Sequence, residues 1–319
     1  MKILVTGGAG FLGSHIIAHL LKREEHVICV DNFNNYYSPK IKHLNIKKFL
    51  TNKYFKLYKG DITNFSFLEN VFNKEKIKRV FHLAARAGVR PSIQDPIMYE
   101  KTNIGGTLNL LEISRKNEIE NFVLTSSSSV YGNSTQIPFS EKHTALNPIS
   151  PYAATKRSCE LLAYTYHHLY GLNINIIRPF TVYGPAGRPD MAPFLFTKWI
   201  DQGKLIYRFG NGSTRRDYTF IDDFVIGAIA ALDKPFGYEI FNLGNAQAVR
   251  LDKFINVIGK ILKKKPRIKE LPLPPGDVQT TFADISKAKK KLNYRPITSI
   301  EEGMNKFIGW YQKNKQYYD

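Results

Sequence analysis

Only two cysteines, Cys29 and Cys159, occur in 319 residues, so the chain has no disulfide framework and fits a reducing cytoplasm. One falls in an apparent strand and the other in an apparent helix, which reads them as packed or surface thiols rather than nucleophiles. No apolar run approaches the ~20 residues needed to cross a bilayer, the longest uncharged one being Phe224 to Leu232. A soluble protein with no membrane partner is expected. Acidic residues are scarce beside basic ones, 27 against 46, for a net charge of +19. Such an excess could serve a polyanion. It collects, however, in KKKPRIK from Lys263 and KAKKK from Lys287, with no recognition motif and no interleaved aromatics, so a solvated lysine face is expected and no nucleic-acid partner. What is present is ordinary globular material, 43% hydrophobic and 13% aromatic, and at roughly 150 residues per domain the length favours two domains or one with a lobe attached.

The opening MKILVTGGAGFLG sets Lys2 before an apolar run, but that run breaks at Gly7 and continues with helical spacing, so it reads as strand, turn and helix rather than a secretory segment. Similar β-branched runs recur as HVICVD, YFKLYKGD, RVFHLAA, NFVLTSS and NINIIRPF, separated by helical patterns such as ATKRSCELLAYTYHHLY. Repeated strand–helix–strand units predict an α/β fold, a Rossmann-type doubly wound parallel sheet. After about Arg178 the pattern loosens into Pro- and Gly-rich loops, with helices expected near Pro193 to Gln202, Asp222 to Leu232 and Asp252 to Lys263. The expected division is a dinucleotide-binding domain over residues 1–180, with 222–245 returning to it, and a smaller α/β substrate lobe over 181–319.

Gly7, Gly10 and Gly13 stand directly after a strand and before a helix, where glycines allow close approach of a pyrophosphate to helix amides. Asp31 ends the second strand about 20 residues on, where a carboxylate accepts from a ribose 2′-hydroxyl and repels a 2′-phosphate, so NAD is favoured over NADP. Asp61 ends the third strand and could meet the adenine or cap a helix. His15 and His19 lie one helical turn apart, but neither an HExxH pattern nor a further ligand cluster accompanies them, and no metal is expected.

Tyr-x-x-x-Lys occurs three times, at Tyr36/Lys40, Tyr152/Lys156 and Tyr311/Lys315. Only the middle pair opens a helix after a strand ending in Thr125-Ser126-Ser127-Ser128-Ser129, at the sheet edge where such folds bind ligands. A cation one turn from a phenol favours the phenolate, which makes Tyr152 a candidate base.

With these motifs the chain resembles the extended short-chain dehydrogenase/reductase superfamily, and within it the nucleotide-sugar epimerases, most of all UDP-glucuronate 4-epimerases. The resemblance rests on GGAGFLG, HLAARAGVRPS, SSSSVYG, YAATK, RPFTVYGPAGRPDM, RRDYTFIDD and PPGD with FADISKA, and spans nearly the whole chain. It implies an NAD cofactor, a UDP-sugar substrate, a homodimer, Tyr152 as base, Lys156 as its ribose-binding partner and Ser127 as the hydroxyl partner. It implies a cofactor lining of Gly7, Gly10, Phe11, Leu12, Gly13, Asp31, Asn32, Asp61, Ile62, Leu83, Ala84, Ala85, Asn103 and Phe180, beside Tyr152 and Lys156. Substrate contacts would come from Arg90, Ser128, Ser129, Thr181 and Arg188, with Arg216 on the pyrophosphate and Asp277 on the ribose.

Related 4,6-dehydratases carry Asp-Glu where this chain has Ser128-Ser129, and related decarboxylases carry Glu at the Ser129 position. Elimination needs such an acid and base, whereas epimerisation at C4 needs only the tyrosine. UDP-glucose epimerases have Asn at the Thr181 position and Arg at the Pro274 position, which disfavours UDP-glucose. The glucuronate type usually has a neutral residue where Arg86 stands. The expected reaction is therefore C4 epimerisation of a UDP-sugar, UDP-glucuronate to UDP-galacturonate. The alternatives are UDP-glucose or UDP-N-acetylglucosamine epimerisation, decarboxylation, and a catalytically silent NAD-binding module.

Overall fold

The computed structural model describes residues 1–272 and 279–318. Before residue 180 the strands are Lys2–Thr6 (β1), His26–Asp31 (β2), Phe55–Lys59 (β3), Arg79–His82 (β4), Asn121–Thr125 (β5) and Ile174–Pro179 (β6). Thr181–Tyr183 (β7), Leu205–Phe209 (β8), Arg215–Phe220 (β9), Tyr238–Leu243 (β10), Ala248–Arg250 (β11) and Arg267–Leu271 (β12) follow. The helices of the first half are Phe11–Lys22 (α1), Pro39–Lys47 (α2), Phe65–Glu75 (α3), Val89–Gln94 (α4), Pro96–Tyr99 (α5), Gly106–Lys116 (α6) and Pro151–Tyr170 (α7). Those of the second are Ala192–Asp201 (α8), Ile221–Asp233 (α9), Leu251–Leu262 (α10), Ser286–Leu292 (α11) and Ile300–Asn314 (α12).

The main sheet has seven parallel strands in the order β3-β2-β1-β4-β5-β6-β10. Its central strands are covered on both faces, and β5 is buried at every position, which is why they read as continuous apolar runs instead of alternating ones. The longest helix, α7, has its start and stop written locally. Ser150 accepts from the Ala153 amide at 3.1 Å, Pro151 follows at the first helical position, and Gly171 ends the helix in the left-handed region at φ +65°.

β10 pairs with β6 after the chain has left the sheet and come back, and α9 packs between it and α1. α11 also packs on α9 and β10. The remaining second-half strands form a three-stranded sheet, β11-β9-β7, and a parallel pair, β12-β8. Their core is aromatic: Tyr218 stacks on Phe254 at 4.3 Å, and Phe194 meets Phe307 and Tyr311 edge-on. Lys263, Lys264 and Lys265 are exposed, as are Lys289, Lys290 and Lys291. Among the described residues no helix is long and apolar enough to cross a membrane.

Candidate active site

Strand order reverses at β1, which lies between β2 and β4, so their carboxyl ends leave a crevice. A cavity opens there, and most of the expected residues line it: Gly7, Gly10, Phe11, Leu12, Gly13, Asp31, Asn32, Ile62, Leu83, Ala84, Ala85, Ser127, Ser128, Ser129, Tyr152, Lys156, Phe180, Thr181 and Arg188. Gly7 is required by geometry. It has φ +68°, and a Cβ would lie 2.8 Å from the Ala84 amide nitrogen, so the loops after β1 and β4 could not approach. The helix that follows, α1, has no side-chain cap and no acidic residue in its first turn. The amides of Phe11, Leu12 and Gly13, which open this helix in the cavity wall, are a donor set that fits the pyrophosphate of a dinucleotide.

Asp31 is nearly buried and already employed, accepting from the amides of Ala9 at 3.1 Å and Phe33 at 2.9 Å. Burial pushes its carboxyl up, while those amides and the charge of Lys42 pull the other way. Each oxygen keeps a lone pair for a ribose hydroxyl. Asp61 does not cap the next helix; Asn64 does, accepting from Phe67. Asp61 instead accepts from Asn32 Nδ2 at 2.6 Å and from both Thr63 donors, and despite burial its carboxyl is held below the ordinary range by these bonds and by Arg86.

Tyr152 and Lys156 share the first turns of α7. Lys156 is buried, and its ammonium donates to the Thr125 carbonyl at 2.8 Å, which ties the helix to the end of β5. Ser127 Oγ accepts from the Ser129 amide at 3.1 Å and so shapes the serine turn. Behind that turn Glu160 accepts from Ser126 Oγ, from Arg157 and from a two-pronged Arg178. Burial alone would raise the Glu160 carboxyl, but the Arg178 fork outweighs it and holds it low. His82, at the end of β4, bridges Thr6 and Thr107 in full burial, which drives its pKa down to about 3 and keeps it neutral beside Lys156.

Four expected contacts stand outside the cavity wall. Asp61 reaches it only through Asn32. Asn103 is buried and bonds the Arg86 amide, the Arg86 carbonyl and Thr155 Oγ1, so it fixes the loop after β4 against α7 from behind. Arg90 lies over the Phe209 ring at 4.7 Å, and Arg216 donates to the Arg215 carbonyl. Asp277, like Pro274, lies outside the described residues. His15 Nδ1 donates to the Phe11 carbonyl within its own helix, and no group of three potential metal ligands occurs among the described residues. The sequence reading missed Tyr36, Tyr37, Lys42, Phe194 and Phe307, all in the cavity wall. The paired tyrosines of NNYYS, just past Asp31, were the one local signal; Phe307 arrives from α12 and left none.

A family model described as GDP-mannose 4,6 dehydratase matches residues 4–307. The chain belongs to this family of extended short-chain dehydrogenases/reductases. It is 47% identical over 312 residues to a UDP-glucuronate 4-epimerase of Thermodesulfobacterium geofontis, covering 98% of this chain and 96% of that one. Among solved structures, UDP-glucuronic acid 4-epimerase from Bacillus cereus, in complex with UDP-glucuronic acid and NAD, is 37% identical with a TM-score of 0.93, over 98% of this chain and 99% of that one. UDP-glucose 4-epimerase from Thermotoga maritima, with UDP-glucose, is 33% identical with a TM-score of 0.89, over 99% and 100%. The fold is thus common to epimerases of acidic and neutral sugars.

Proposed function

We propose that this protein is an NAD-dependent 4-epimerase of UDP-sugars whose substrate is UDP-glucuronate, converted to UDP-galacturonate. The observation that carries the reading is the composition of the cavity wall. Ser127, Ser128, Ser129, Thr181 and Arg188 supply hydroxyls and a guanidinium near Tyr152, and among the described residues the one acid lining the wall is Asp31, at the far end on β2. Among the described residues no carboxyl group lines the serine end of the wall to carry protons for elimination at C5 and C6. NAD, held by the amides at the start of α1 and by Asp31, would supply a reversible hydride acceptor for C4, so the reaction would leave the sugar with no net redox change.

Tyr152 accepts the C4 hydroxyl proton and gives it back after the 4-keto sugar has turned over. Ser127 orients that hydroxyl, and Lys156, anchored on Thr125, holds a positive charge beneath the phenol. A 4-keto glucuronate is a β-keto acid and can lose carbon dioxide. Donors from Ser128, Ser129, Thr181 and Arg188 keep its carboxylate charge localised and its C5–C6 bond out of line with the ketone π system. In this reading residues 1–180 with the returning segments hold the dinucleotide, and the 181–319 lobe holds the nucleotide end of the substrate through Arg216 and Asp277. Arg90, on the Phe209 ring at the lobe boundary, closes over that end.

The test is kcat/KM for UDP-glucuronate against UDP-glucose and UDP-N-acetylglucosamine, with products resolved by chromatography. UDP-galacturonate is expected as the main product. Preference for a neutral sugar overturns the substrate assignment, and turnover of none overturns the epimerase.

A further inference from the structure

Arg188, which the proposed function assigns to the sugar carboxylate, already holds a carboxylate. Its Nε donates to Asp190 Oδ1 at 3.0 Å and its Nη2 to Asp190 Oδ2, the two-pronged geometry that a glucuronate would offer. Tyr36 completes the cluster from the other side of the crevice. Its hydroxyl accepts from Arg188 Nη2 at 3.3 Å and donates to Asp190 Oδ2 at 3.4 Å, and its ring lies 5.3 Å from the guanidinium. The loop bearing Tyr36 is itself fixed: the Tyr36 amide donates to Asn34 Oδ1, and Lys42 donates to both oxygens of Asn34. Room for the hydroxyl exists because residue 88 is glycine, where a Cβ would lie 2.7 Å from it.

We propose that Asp190 is a positioning residue that stands in for the substrate carboxylate, holding Arg188 in the cavity wall until an acidic sugar exchanges with it, and thereby lowers the apparent affinity for acidic sugars while leaving that for neutral ones untouched. The proposal rests on the reading of the site given above. The two partners are unequally placed for such an exchange. The Arg188 side chain is 20% exposed and needs an anion wherever it lies, whereas Asp190 is 39% exposed and can be hydrated once released. Released, it stands two residues before α8, whose first turn has no side-chain cap and favours a negative charge nearby. A glucuronate therefore replaces one fork with another, while a neutral hexose brings nothing to exchange and leaves Arg188 with Asp190. Because the binding-competent state is the one with Arg188 released from Asp190, the apparent dissociation constant for acidic sugars is the intrinsic one divided by the population of that state.

The test compares wild type, Asp190→Asn and Asp190→Glu as NAD-loaded enzymes, measuring KM and kcat for UDP-glucuronate and the inhibition constant of UDP-glucose. Asp190→Asn is expected to lower the UDP-glucuronate KM at least about 3-fold without raising kcat, and to leave UDP-glucose inhibition unchanged. Asp190→Glu, which restores the charge, is expected to behave as wild type. A wild type that turns over UDP-glucuronate while Asp190→Asn leaves its KM unchanged, raises it, or shifts both sugars alike overturns the exchange alone. A wild type that prefers a neutral sugar overturns the exchange together with the substrate reading beneath it.

Discussion

Removing one phenolic oxygen from Tyr152 separates its chemistry from its packing, because the ring keeps its edge-on contact with Tyr99 at 6.3 Å. Tyr152→Phe is expected to lower kcat by at least ~100-fold, the scale of a general base, while bound NAD, measured by its release on denaturation, stays at the wild-type level. Near-normal turnover would remove Tyr152 from the mechanism. At Arg188 the expected signature differs. Charge-assisted hydrogen bonds contribute roughly 1.5 to 3 kcal/mol each, so Arg188→Ala should raise the UDP-glucuronate KM at least ~10-fold and affect neutral UDP-hexoses little. A carboxylate no longer restrained can rotate into alignment with the 4-ketone, so the variant should also release some UDP-pentose, visible by mass spectrometry. An equal loss for acidic and neutral sugars would show that Arg188 shapes the loop instead of reading the acid.

Between β5, α7 and β6 the structure places a charge cluster where the sequence shows only a strand and a helix. Glu160 on α7 joins Arg178 on β6 to Ser126 just past β5, so the turn carrying Ser127 is held by an ion pair that is itself fully buried. Removing one charge strands the other, and Glu160→Gln should cost about 3 to 5 kcal/mol of stability, readable as a lower denaturant midpoint. Glu160, together with Glu75 at the end of α3, makes the fold acid-sensitive. Burial pushes Glu75 up, but hydrogen bonds from Lys56, Tyr58 and Lys2 outweigh it and hold it at about 2; Glu160 is held low by Arg178. A carboxyl depressed in the folded state contributes stability above its unfolded pKa and loses it as pH falls through the folded value. The Tm of the wild type should therefore decline from about pH 4.5 toward pH 2, and a flat profile over that interval would contradict the assignment.

For the whole molecule, several large apolar side chains remain uncovered on helices that pack together. Ile97 of α5, Leu108 of α6, and Leu161 and Tyr164 of α7 are exposed, and α7 packs against both α5 and α6. A single chain gains nothing from leaving such groups in water, and a second copy could cover them. A homodimer is the proposed state. Light scattering should give twice the chain mass for wild type and a shift toward monomer for Leu161→Asp, with circular dichroism unchanged; a monomeric wild type would refute it.

The local half of the site was legible in the sequence because its cues are short-range. The glycine turn after β1, Asp31 at the end of β2, the serine run after β5 and the Tyr152/Lys156 turn each follow from a strand ending where a helix begins, and a parallel sheet gathers those ends at one edge. Asn103 shows the boundary of that logic. The resemblance put it in the cofactor wall, but its amide is bonded to Arg86 and Thr155 and it lies outside the lining. What only the tertiary structure decided is which distant residues meet: Tyr36 with Asp190 and Arg188, Glu160 with Arg178, Arg90 with Phe209. Hydrogen bonds and ion pairs act over a few ångströms and carry no periodicity, so a partner 18 or 154 positions away leaves no mark in the sequence until folding brings it into reach.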